Sequence, residues 1–187
     1  MSVKRRNPQP LNAQRLEELA LAYVARFATT QAKLRGYLQR KIQERGWAGE
    51  GEREDGGAEA VEALVSRYTE LGYVDDGAWA RMKAGSLLRR GYGARRVGEA
   101  LGQAGIGEDL RAQTRPGERD QRLAALVLAR RRRFGPFAIE APDRAAREKQ
   151  LAAMLRAGHS LDIARRIVDA ADPGEAEEWA ESAFGDD

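Results

Sequence analysis

At 187 residues, with a third of them charged and only 6% aromatic, the chain can bury a core but favours long helices carrying thin apolar stripes over a single large globule. It has no cysteine, which excludes disulfides, thiolate nucleophiles and cysteine-based metal sites and makes a reducing cytoplasm the simplest location. The net charge of +3 conceals a split: segment 172–187 holds seven acidic residues and no basic one, so the remainder carries +10. No apolar run approaches the roughly twenty residues of a membrane span, and no apolar secretory segment opens the chain.

Residues 1–11, with Lys4, Arg5 and Arg6, read as a disordered basic arm. Leu16, Leu19, Ala20, Tyr23 and Phe27 recur at helical spacing; Thr30 then caps a second helix containing Leu34, Leu38 and Ile42 and closed by Gly46. The acidic, glycine-rich stretch 48–57 reads as a loop. Val61, Leu64, Val65, Tyr68 and Leu71 form the cleanest stripe in the chain.

Segment 72–106 holds two helical patterns joined at Gly91-Tyr92-Gly93 and crowded with arginine. Asp75 and Asp76 stand where a carboxylate accepts the free N–H groups of a following helix. Val97, Leu101 and Ala104 run into Gly105, which suits the left-handed position that ends many helices. A short helix near 109–113 is stopped by Arg115-Pro116-Gly117. A third set follows: Leu123, Leu126, Val127 and Phe134; then Leu151, Met154 and Leu155; then Ala164, Ile167, Val168 and Ala171, with Ser160 as cap. In the acidic tail, Ala176, Trp179, Ala180 and Ala183 share one face of a short helix. A docked helix, a disordered tail and a charge mimic of DNA are all open readings of it.

An apolar residue four positions before a helix-ending glycine occurs as Ile42/Gly46, Leu101/Gly105 and Met154/Gly158. The echo divides the chain into units at 12–72, 73–116 and 117–171, each of three helices, an all-α fold forming an elongated curved array.

Enzymatic chemistry is poorly supplied. None of the five lysines follows a glycine, so the phosphate loop is absent, and Gly91-Tyr92-Gly93 leads into arginines where a dinucleotide fingerprint needs another glycine. His159 is the only histidine, which leaves a His-based metal site or a catalytic triad without partners and makes it a packing or helix-entry residue. No cofactor, metal or catalytic residue is expected. Arg89, Arg90, Arg95 and Arg96 bracket one tight turn, and the planar guanidinium fork suits carboxylate and phosphate. The alternative is that they are solvated or paired with Glu99 and Asp109. Arg130 to Arg133 fan around a helix at about 100° steps, with Arg130 on the apolar stripe and Arg131, Arg132 and Arg133 turned outward.

The residues Gly72-Tyr73-Val74-Asp75-Asp76, Trp79-Ala80, Arg89-Arg90-Gly91-Tyr92-Gly93, Arg95-Arg96-Val97, Leu101 and Gly105-Ile106 together resemble the RecX family of recombination regulators. Thr30, Ala32, Leu34 and Leu38 resemble its first repeat, and Arg131 to Gly135 with 155–168 its third, so the likeness covers 16–171. The chain departs from the family at Lys33, where a glutamate usually completes a capping box, at Trp79 in place of phenylalanine, and at His159 in place of an aromatic. Loop 48–57 and the acidic tail lie outside the motif. The resemblance implies three tandem three-helix repeats in a monomer that lies in the groove of the RecA filament on DNA. It further implies damping of RecA's ATPase and strand exchange and moderation of its co-protease role in the SOS response. Arg89, Arg90, Arg95, Arg96, Arg131, Arg132 and Arg133 are the candidate partner-binding residues. A direct nucleic-acid-binding helical protein is the rival reading, and a helical scaffold for another protein the third.

Overall fold

The computed structural model describes residues 9–48 and 56–182, and the described residues are helical apart from turns and one isolated β-bridge. The chain divides into two compact units, Met1–Trp79 and Ala80–Asp187. None of its described helices is long and apolar enough to cross a membrane.

In the first unit, α1 (Ala13–Val24), α2 (Gln31–Arg45) and α3 (Gly56–Glu70) pack against one another around Leu16, Leu34, Leu38, Val61, Val65 and Tyr68. Asn12 caps α1 through the Arg15 N–H at 3.0 Å. The stripe of α1 stops short of its predicted end: the helix finishes at Val24, and Phe27 lies beyond it, 57% exposed. Leu71 likewise falls past the end of α3 and is exposed. Leu11, at the end of the predicted basic arm, is fully buried and bonded on both sides, its N–H donating to Gly46 O and its carbonyl accepting from Ala48 N–H. Residues 1–8 of that arm and 49–55 of the predicted loop lie outside the described residues; Gly56 and Gly57, assigned to the loop from sequence, begin α3.

Thr30 caps α2 as its position predicts, its Oγ1 accepting from Lys33 N–H at 3.2 Å. Lys33, unable to complete a capping box, places its ammonium 4.4 Å from the centre of the Trp79 ring, whose indole N–H donates to Ala28 O. The paired aspartates divide their work. Asp75 accepts from Ala78 N–H at 2.8 Å and caps α4 (Asp76–Arg89), whereas Asp76 accepts from Gln31 N–H at 2.9 Å, at the start of α2. The second helix thus recovers, from 45 positions away, the carboxylate that its own sequence lacks.

The second unit contains α5 (Ala94–Gln103), α6 (Glu108–Gln113), α7 (Glu118–Arg132), a 3₁₀ turn (Gly135–Phe137), α8 (Arg144–Arg156), α9 (Leu161–Val168) and α10 (Pro173–Glu181). Its main core joins Leu126, Leu128, Met154, Ile167 and Val168 to Ala176 and Ala180 of α10. Of the stripe predicted on α7, Leu126 is buried and Leu123 and Phe134 pack against the same core, but Val127 is exposed and Leu128 is buried in its place with Ala124, Ala125 and Ala129. The cause is α10, which packs on α7 while α9 packs on it as well, widening the buried arc beyond a single stripe.

Of the three readings of the acidic tail, the structure shows the docked helix. Asp172 caps it through Glu175 N–H, Pro173 occupies its first turn, and Ala176 and Ala180 have no exposed surface. Arg122 stacks over the Trp179 ring at 4.3 Å and donates to Trp179 O at 3.0 Å, while Arg130 pairs with Glu177. Ala183 lies outside the described residues.

Candidate partner-binding site

The Gly-Tyr-Gly turn is held from within the unit. Gly93 N–H donates to Ala157 O at 2.9 Å, Arg95 N–H to Gly158 O at 3.2 Å, and His159 Nε2 lies 3.0 Å from Gly91 O. A β-carbon on Gly93 would stand 2.5 Å from His159 N and closer still to Gly158 O, so glycine is required by the close approach of two backbones. His159 is the packing residue its isolation predicted: it is 5% exposed, and burial pushes its imidazole pKa below the ordinary histidine value despite the bond to Gly91 O. A carbonyl only accepts, so Nε2 carries a proton, and burial favours the neutral ring.

This junction separates the predicted arginines into two kinds. Arg95 and Arg96 sit in the first turn of α5, where the helix dipole disfavours cations. Both pair with Glu99, about one turn along, and Arg95 also donates to Leu155 O at 2.9 Å, at the end of α8. Arg95 therefore ties α5 to the end of α8, whereas Arg96 pairs within its own helix, and Asp109 takes no part in either.

Arg89, Arg90, Arg131, Arg132 and Arg133 are exposed and form no ion pair with a described residue. Arg90 lies 5.4 Å from the centre of the Tyr92 ring. Tyr92, Arg131, Arg132 and Arg156 line one cleft of about 240 Å³ floored by Leu128 and Phe134. Arg90 adjoins it through Tyr92; Arg89 and Arg133 do not line it. Arg133 instead ends α7 in the left-handed conformation, at φ 55°, the place that glycine fills at Gly46, Gly105 and Gly158.

The electrostatic logic is local. Arg90 follows the last turn of α4, while Arg131 and Arg132 close α7 and Arg156 closes α8. Each guanidinium meets the negative end of a helix dipole, which supports its charge without an acidic neighbour. The donors remain free for an incoming carboxylate or phosphate. Arg156 was missed in the sequence because it stands alone, but it shares with Arg45 and Arg90 a place just ahead of a helix-ending region. Among the described residues no cluster of three or more metal-ligating side chains is present.

No protein-family model matches the chain. Among curated proteins it is 33% identical over 168 residues to regulatory protein RecX of Myxococcus xanthus, spanning 88% of this chain and 89% of that one. It is 29% identical over 143 residues to regulatory protein RecX of Agrobacterium fabrum, spanning 74% and 73%. The corresponding protein of Deinococcus radiodurans is 35% identical over 133 residues, 67% of this chain and 56% of that one. Two solved structures share the fold: RecX from Lactobacillus salivarius, with TM-score 0.63 and 16% identity over 81% of this chain and 91% of that one, and a second RecX crystal structure, with TM-score 0.64 and 20% identity over 84% and 72%.

Proposed function

Because the chain belongs to the RecX family, we propose that it is a regulator that binds the RecA nucleoprotein filament in its helical groove and restrains ATP turnover, strand exchange and SOS co-protease activity. Its setting is the cytoplasm and its working form a monomer. The observation that carries the site assignment is the cleft of Arg131, Arg132 and Arg156 beside Arg90 and Tyr92, which has no acidic lining residue. Such a surface suits a filament that presents both acidic side chains and DNA phosphates. Restraint requires that the protein bind the active filament with a different affinity from other states, since equal affinity shifts nothing.

The helix order supports a reading as three units of three helices, α1–α3, α4–α6 and α7–α9, with α10 added to the last. Gly46, Gly105 and Gly158 end α2, α5 and α8, the middle helix of each unit, with φ of 81°, 80° and 98°. Gly72 and Gly91 share that positive φ, so the glycine echo marks helix ends as well as repeats.

Titrating the protein into RecA on single-stranded DNA is expected to suppress ATP hydrolysis at or below one protein per RecA protomer. Undiminished hydrolysis at saturating protein would sink the proposal. Direct DNA binding is the second reading, favoured by the same unpaired guanidiniums. It predicts tight, steeply salt-dependent binding to bare DNA, because each phosphate contact releases counterions. Filament binding that persists where bare-DNA binding has vanished eliminates it.

A further inference from the structure

We propose that a second cleft, formed by α5, α6 and the start of α9, seats an acidic, apolar-anchored peptide segment of the protein partner. It has a volume of about 590 Å³, well inside the usual range for ligand pockets. Val97, Leu101 and Pro116 give it an apolar floor, and Arg95, Arg111 and Arg115 stand on its wall. Glu108 is the one acidic lining residue, and it is already paired with Arg111. Arg115 is exposed and holds no ion pair with a described residue, so the wall carries excess positive charge.

Two buried atoms of the wall side chains lack hydrogen-bond partners, Arg111 Nε and His159 Nδ1. The first is a donor. The second is an acceptor, since His159 Nε2 carries the ring proton toward Gly91 O. The lining residues thus leave one donor and one acceptor unmatched, and a peptide group offers both C=O and N–H. A nucleic-acid backbone offers phosphate acceptors alone, would leave Nδ1 unmatched, and would cover none of the apolar floor. The chemistry therefore favours a peptide over DNA, with a carboxylate side chain for Arg115 and an apolar one for the floor.

The inference rests on the proposed reading in taking RecA as the source of that segment. Gly98 lines the cleft, and a β-carbon built there meets no atom within 4 Å. A side chain at that helical position also favours the helix over glycine, so Gly98→p-benzoylphenylalanine is expected to fold. The full chain carrying it is irradiated with RecA filaments on single-stranded DNA, and the ATPase is followed in the same samples. The expected crosslink joins position 98 to a RecA peptide bearing Asp or Glu near an apolar residue. Arg115→Glu in the same chain is expected to lower the yield about tenfold, the factor for loss of one charge-assisted contact. Crosslinking only to DNA, only to residues 183–187 of the chain itself, or to nothing overturns the proposal. Inhibition without a crosslink rejects this cleft and leaves the regulator reading standing; a crosslink without inhibition does the reverse.

Discussion

Replacing Gly93 by alanine places a methyl carbon 2.5 Å from His159 N and still nearer Gly158 O, where ordinary contact needs about 3.4 Å or more. Both obstacles are backbone, so neither can rotate away, and α5 must separate from the end of α8. That movement breaks the bonds Gly93 N–H to Ala157 O at 2.9 Å and Arg95 N–H to Gly158 O at 3.2 Å. At about 1 kcal/mol for each bond and about 1–3 kcal/mol for overpacking, the loss comes to about 3–5 kcal/mol. For a chain of this size that lowers the melting temperature by about 6–20 °C. Differential scanning calorimetry of the full chain measures it, with Gly98→Ala as the control, since a β-carbon there meets open space. Gly158→Ala is expected to act similarly, at φ 98° and with its β-carbon 2.5 Å from Arg96 N. The double variant should lose much less than the sum, because both changes open the same junction. A Gly93→Ala melt within about 2 °C of the parent would refute the close-approach argument.

Asp76→Ala removes the acceptor of Gln31 N–H and is expected to weaken the start of α2 by about 1–2 kcal/mol, seen as faster hydrogen exchange at that amide; unchanged exchange rejects the cross-segment cap. Truncation after residue 171 removes the buried Ala176 and Ala180 and leaves Arg122 and Arg130 without their α10 partners. It is expected to cost the second unit about 2–5 kcal/mol in urea unfolding, and an unaltered midpoint would make α10 a bystander. His159, held neutral by burial, makes stability pH-dependent: the unfolded chain binds the proton more readily, so stability is full above the ordinary histidine value of 6.5 and falls as pH drops below it. His159→Phe should flatten that part of the profile, and an unchanged slope would show that other groups cause it.

Much of the fold was legible because its signals are local. Thr30, Asp75 and Ser160 cap the helices that follow them, and Gly46, Gly105 and Gly158 end helices at positive φ. What the sequence concealed depends on distant partners. The bond from Gln31 to Asp76 cannot be read from either neighbourhood, and Leu128 replaces Val127 in the core only because α7 is covered on more than one side. The arginines show the same division. Their clustering is visible in the chain, but their difference is not: Arg95 and Arg96 pair with Glu99 and Arg95 also reaches the end of α8, whereas Arg131 and Arg132 join Arg156 at converging helix ends.

Charge reversal at the second group tests whether that cleft binds the filament. The variant Arg131→Glu with Arg132→Glu and Arg156→Glu is compared with the parent in inhibition of RecA's ATPase on single-stranded DNA, after circular dichroism has established equal helicity. The half-maximal inhibitory concentration is expected to rise at least about tenfold, since several charge-assisted contacts become repulsive. Inhibition at the parent's concentration by a folded triple variant would contradict it and remove this cleft from the interface.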